Sequence, residues 1–119
     1  GSSKYYAGTV TAYSNELKQS VLGVLPETLD KFGAVSSEVA LEMAKGIRKK
    51  THADIGLATT GISGPTGGTD EKPVGLVYIG VKKGNKIQVN KFIFKGKNRS
   101  SIQKATVRKA LNLILRAAK

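Results

Sequence analysis

Apolar and polar positions along the chain sort into short segments of two periods. Residues 9–13, Thr-Val-Thr-Ala-Tyr, are β-branched and aromatic and predict a short strand. Ser14 offers an N-cap for a helix over residues 15–22 that stops at Gly23. Pro26 opens a short helix through Phe32, closed by Gly33. Ser36 or Ser37 caps a longer helix in which Val39, Ala40, Met43, Ala44 and Ile47 recur at helical spacing, one apolar stripe facing a sheet. Residues 53–60 form a compact apolar run suited to a strand buried on both faces. Residues 61–73 are loop chemistry throughout. Two β-rich runs, 74–81 and 87–94, flank Lys82-Lys83-Gly84-Asn85-Lys86 and predict a hairpin. A terminal helix starts at Ser100 or Ser101, with Val107, Ala110, Leu111, Ile114 and Leu115 as its expected buried stripe.

The order strand, helices, strand, hairpin, helix predicts an α/β fold: three layers, α/β/α, around a mixed sheet that includes an antiparallel hairpin. With 119 residues the chain fits a single domain, 1–119, with one modest core. The first strand follows almost directly on Gly1, with nothing ahead of it to cover the sheet's second face, so the domain is expected to be truncated at its N-terminus. No stretch approaches the roughly 20 apolar residues that span a bilayer, and no secretory pattern opens the chain, so a soluble, cytoplasmic protein without membrane contact is expected.

Cysteine is absent, which excludes disulfides and thiolate metal sites, and His52 alone cannot build an imidazole cluster. Metal-dependent chemistry is not expected, and no cofactor is called for. A net charge of +12 would steer anionic partners. Because the cations run from Lys4 to Lys119, a solvated basic surface accounts for most of it. The densest run, Arg48-Lys49-Lys50, falls near a helix end, where cations oppose the negative pole of the helix dipole.

The segment from Thr59 to Gly75 is the most unusual: five glycines and two prolines directly after a buried strand. Ligands in α/β proteins commonly bind there. Glycine lets backbone N–H groups approach a ligand oxygen without an intervening Cβ. The P-loop ending and the dinucleotide-binding fingerprint are both missing. On these grounds a rigid connector and an anion-binding loop stand equally.

Three blocks carry a resemblance. Thr60-Gly61-Ile62-Ser63-Gly64-Pro65-Thr66-Gly67-Gly68 with Lys72-Pro73-Val74-Gly75 is one; Gly1-Ser2-Ser3, Gly8 and Tyr13-Ser14-Asn15-Glu16-Leu17-Lys18 is the second; Gly33-Ala34-Val35-Ser36 is the third. Together, in this order and spacing, they resemble the CinA C-terminal family, the nicotinamide-nucleotide amidases. Domains of that family carry a further N-terminal strand and helix around Glu-Ser-Cys-Thr-Gly-Gly, of which this sequence has no trace.

The resemblance implies hydrolysis of nicotinamide mononucleotide to nicotinic acid mononucleotide and ammonia, without a metal. Carried onto matching positions, Ser3 is the nucleophile with Ser2 as the fallback, Lys18 the base and Tyr13 the supporting hydroxyl. Thr60, Gly61, Ser63, Gly64, Gly67 and Gly68 would contact substrate, and Arg99 its phosphate. A neutral lysine at pH 7, against an ordinary value near 10.4, requires roughly 4 kcal/mol of differential stabilisation, and burial and neighbouring cations both push that way. Ser3 and Tyr13 would stand about 33 Å apart on an extended chain, so either a reversal near Ala7-Gly8 folds Ser3 back or a second subunit donates one of the pair.

The partners expected are a small-molecule nucleotide and a second copy in a homo-oligomer; the absent segment is accounted for by truncation, by cleavage, or by a separate chain that supplies it. A catalytically silent, nucleotide-binding or regulatory relative is the alternative. A nucleic-acid-binding module ranks below both, because the aromatic residues are dispersed and no recognition signature accompanies the charge.

Overall fold

The computed structural model describes residues 7–8, 15–96 and 98–118. The elements in chain order are β1 (Ala7–Gly8), α1 (Asn15–Ser20), α2 (Pro26–Phe32), α3 (Ser37–Thr51), β2 (Ile55–Gly61), β3 (Leu76–Lys83), β4 (Lys86–Ile93) and α4 (Arg99–Ala118). The sheet runs β1-β2-β3-β4, with β1 parallel to β2 and the later neighbours antiparallel. The expected mixed sheet with a hairpin is therefore the observed one.

Local chemistry explains most boundaries. Pro26 stands in the first turn of α2, where its missing N–H costs nothing, and the Gly33 N–H closes the helix on the Leu29 carbonyl at 2.9 Å. Ser36 caps α3: its hydroxyl accepts from the Val39 N–H at 3.2 Å and donates to the Gly33 carbonyl at 2.9 Å. The β3–β4 turn is tighter than the sequence pattern suggests. Lys82 and Lys83 belong to β3 and Lys86 to β4, leaving only Gly84 and Asn85, with Gly84 at φ +58, the first-position glycine of a two-residue hairpin turn.

The sheet separates two cores. On one face Val39, Met43, Ala44 and Ile47 of α3 pack with Leu22, Val24, Leu29 and Ala58. A Cβ added at Gly80 would lie 2.6 Å from the Ala40 carbonyl oxygen, so α3 rests directly on the backbone of β3. On the other face Ile55, Leu57, Val77, Ile79 and Val81 pack with Ile102, Ala110 and Leu113 of α4. Among the described residues, no helix is long and apolar enough to cross a membrane.

Three expectations need correction. The buried stripe of α4 is Ile102, Ala110 and Leu113, whereas Val107, Leu111 and Leu115 are 58%, 54% and 61% exposed. Two apolar stripes overlap on this helix, and its docking angle selects the one that includes Ile102. The cap of α4 is Asn98, whose side-chain oxygen accepts from the Ser101 N–H at 2.9 Å, so the helix starts before Ser100. Ala7 and Gly8 do not form a reversal: they are extended and pair in parallel with Ile55 and Gly56. The strand expected over residues 9–13 lies outside the described residues.

Candidate active site

The glycine-rich loop is pinched at its base. The Ile62 N–H donates to the Leu76 carbonyl at 2.9 Å and the Gly75 N–H to the Ile62 carbonyl at 2.7 Å, prolonging the β2–β3 ladder by one step. Residues 63–74 therefore leave the end of β2 as a closed loop whose ends are held by sheet pairing.

Three further ties fix that loop. The Thr60 hydroxyl, buried at the end of β2, donates to the Ala34 carbonyl at 2.7 Å, binding β2 to the α2–α3 connection. The Lys72 ammonium donates to the Phe32 carbonyl at 2.6 Å, at the C-terminal end of α2. The Arg99 guanidinium, at the first position of α4, donates through Nη1 to the Gly64 carbonyl at 3.0 Å. Gly64 is buried at φ +76, and a Cβ there would come within 2.6 Å of Val74 Cγ1, so only glycine fits. Its peptide bond to Pro65 is cis.

The anchored loop also carries spare donors. Among the described residues, the backbone N–H groups of Ser63, Gly64, Gly67 and Gly68 donate to no protein acceptor. Fixed N–H groups with no intrachain partner can take up an oxyanion without rearrangement. Arg99 spends one donor on Gly64 and has the rest of its fork for a phosphate or carboxylate.

Lys18 is only 6% exposed on the short helix α1. Burial pushes its ammonium below the usual lysine range. Leu22 and Val24, just past the end of α1, join the α3-side core. Thr60 shares the strand face of Ala58, a member of the same core, so Lys18 and Thr60 stand on one side of the sheet. Ser2, Ser3 and Tyr13 lie outside the described residues. Among the described residues, no group of three or more His, Asp or Glu could hold a metal.

The structure thus joins Thr60, Gly61, Ser63, Gly64 and Arg99 through the loop and its ties, and puts Gly67 and Gly68 on the loop's exposed tip. The Thr60 hydroxyl spends its proton on Ala34, so towards a substrate it could act only as an acceptor. Replacing Thr60 by Val should cost about 1 kcal/mol, since the part-buried Ala34 carbonyl would lose its donor. Urea denaturation measures this directly, and an unchanged midpoint would deny the tie a structural part. Lys72 went unassigned in the sequence reading. Its signal was there in Lys72-Pro73-Val74-Gly75, but only the fold brings Phe32, 40 residues away, under its ammonium.

Comparison with known proteins converges on one family. The model of the CinA C-terminal domain matches residues 1–118. A CinA-like protein of Syntrophomonas wolfei is 51% identical over 119 residues, and one of Kosmotoga olearia is 52% identical over 117. These alignments cover 100% and 98% of this chain and 28% of each relative, so the chain spans just over a quarter of their length. Among solved structures, the competence/damage inducible protein CihA from Agrobacterium tumefaciens superposes with a TM-score of 0.88 at 41% identity, over 91% of this chain and 66% of that one. A competence or damage-inducible protein from Enterobacter asburiae gives 0.84 at 34% identity, over 91% of this chain and 67% of its own.

Proposed function

The chain belongs to the CinA C-terminal domain family, and on that premise we propose that it is a nicotinamide-nucleotide amidase domain, converting nicotinamide mononucleotide and water to nicotinic acid mononucleotide and ammonia. The observation that carries the reading is Lys18. A lysine withdrawn to 6% exposure on a six-residue helix is uncommon, and burial lowers its pKa, the direction a general base requires.

In this mechanism the Ser3 hydroxyl attacks the carboxamide carbon and its proton passes to Lys18 Nζ. The carbonyl oxygen gains the negative charge, and the unpartnered N–H groups between Ser63 and Gly68 receive it. Collapse of the tetrahedral intermediate breaks the C–N bond, with Lys18 returning the proton to the leaving nitrogen. Water, deprotonated by Lys18, then hydrolyses the serine ester and restores Ser3. Tyr13 is assigned the supporting hydroxyl. The substrate's pyridinium charge withdraws electrons from the carboxamide and disfavours a protonated Lys18 nearby.

Ammonia release from nicotinamide mononucleotide tests the reading, both for this chain and for the chain preceded by the family's N-terminal strand and helix. Release that is lost in Ser3→Ala supports it. No release from either form, with nucleotide binding retained, would sink the amidase and leave a nucleotide-binding relative.

Arg99→Ala should raise KM for nicotinamide mononucleotide roughly tenfold while barely changing turnover of nicotinamide riboside, which lacks the phosphate. Equal losses on both substrates would instead identify Arg99 as a loop anchor through Gly64 alone.

A further inference from the structure

Residues 32–34, between α2 and α3, present three successive carbonyls, and each accepts from a different element. The Lys72 ammonium donates to Phe32 at 2.6 Å, the Ser36 hydroxyl to Gly33 at 2.9 Å and the Thr60 hydroxyl to Ala34 at 2.7 Å. Ser36 caps α3 and Thr60 lies in β2, so two of the donors come from the body of the fold. Lys72 reaches the same segment from the far arm of the glycine-rich loop. A Cβ at Gly33 would stand 2.8 Å from Lys72 Nζ, so the ammonium occupies space that any other residue at position 33 would fill.

The backbone around Lys72 is equally constrained. The Thr69 N–H donates to the Lys72 carbonyl at 2.8 Å and the Lys72 N–H to the Thr69 hydroxyl at 3.0 Å, closing a turn that starts directly after Gly68. Pro73 follows, its φ fixed by its ring. Both arms of the loop then rest on Val74. A Cβ at Gly64 would stand 2.6 Å from Val74 Cγ1, and one at Gly68 would stand 2.7 Å from the Val74 nitrogen.

We propose that Lys72 is a positioning residue for the amide hydrolysis assigned above. Pinned on Phe32, it fixes Val74, and Val74 fixes the backbone of Gly64 and Gly68, whose N–H groups receive the developing oxyanion. Lys72 acts through that backbone and not on the substrate. The oxyanion exists only beyond the ground state, so the contribution falls on kcat and spares KM. The inference rests on the amidase reading, and a direct measurement of loop order separates the two.

Two readouts on wild type, Lys72→Met and Lys72→Arg test it: steady-state kinetics with nicotinamide mononucleotide, and the NMR order parameters of the Gly64 and Gly68 amides. Lys72→Met keeps an apolar stem and removes the donor. It should lower kcat about tenfold or more while KM stays within about twofold, and it should lower both order parameters. Lys72→Arg keeps a cationic donor and should recover most of each. The side chain is half-buried, so circular dichroism should show an unchanged fold in both variants. Unchanged order parameters in Lys72→Met would overturn the proposal whatever the kinetics. So would an unchanged kcat beside loosened glycines. A KM rise seen with nicotinamide mononucleotide and absent with nicotinamide riboside would also overturn it, by making Lys72 a phosphate contact. If the wild type releases no ammonia, the amidase reading fails and the catalytic part of the proposal falls with it, while the glycine order parameters still decide whether Lys72 holds the loop.

Discussion

Replacing Lys18 by Met is expected to lower ammonia release from nicotinamide mononucleotide by about 10²- to 10⁴-fold, and to remove the pH dependence of stability that its buried ammonium imposes. Both effects follow from one fact, that burial disfavours the charged ammonium. A lysine whose pKa is lower folded than unfolded binds fewer protons in the folded state, so stability rises with pH between the two values. Below the folded value the burial penalty is fully present; above the unfolded value it is gone. The stability of the wild type relative to the Met variant should therefore rise as pH climbs from the lowered pKa towards the ordinary lysine value. The wild-type rate should increase with pH through the lowered pKa, the limb that reports the free base. Urea titrations at several pH values, set beside a pH profile of kcat/KM, measure the two together. A Met variant that retains the wild-type rate would remove Lys18 from the chemistry, and a stability gap independent of pH would deny that burial penalises its charge.

The Gly46→Ala variant is expected to be less stable by about 2–3 kcal/mol, although alanine is the better helix former by about 1 kcal/mol. A Cβ at position 46 would stand 1.7 Å from the Leu22 carbonyl oxygen and 2.6 Å from its carbon, both backbone atoms that cannot rotate away. The segment ending α1 must then lift from α3. Leu22 and Val24, each 2% exposed, would lose part of their packing, and Lys18, one turn before Leu22, would move with them. Gly46→Ala should thus also reduce amidase activity although the residue touches no substrate. Lys45→Ala, one position away and exposed, is the control and should be near neutral. A Gly46→Ala protein at least as stable as wild type would mean that the α1–α3 contact yields without cost.

Much of this fold was legible because its determinants are local. The apolar stripe of α3, from Val39 to Ile47, is buried as its helical period predicts. Pro26 and Gly33 bound α2, and β2 is buried on both faces from Ile55 to Ala58, where its apolar run falls. The loop after β2 was recognisable from its glycines, and Lys18 from its block. Neither could be weighed without the fold, since a lysine looks the same in sequence whether it is solvated or withdrawn from water.

The sequence by itself determined the kinds of element, most of their ends and the place of the glycine-rich loop, because helical period, capping and turn chemistry act over a few residues. Tertiary structure decided what those elements meet. It chose Ile102, Ala110 and Leu113 for the core and left Val107, Leu111 and Leu115 outside. It turned the Thr60 hydroxyl to Ala34, 26 residues away, and brought Lys72 to Phe32 and Arg99 to Gly64, separations of 40 and 35 residues. Each of these partners depends on how whole elements dock, and docking is settled by the combined burial of many side chains, which no local pattern contains.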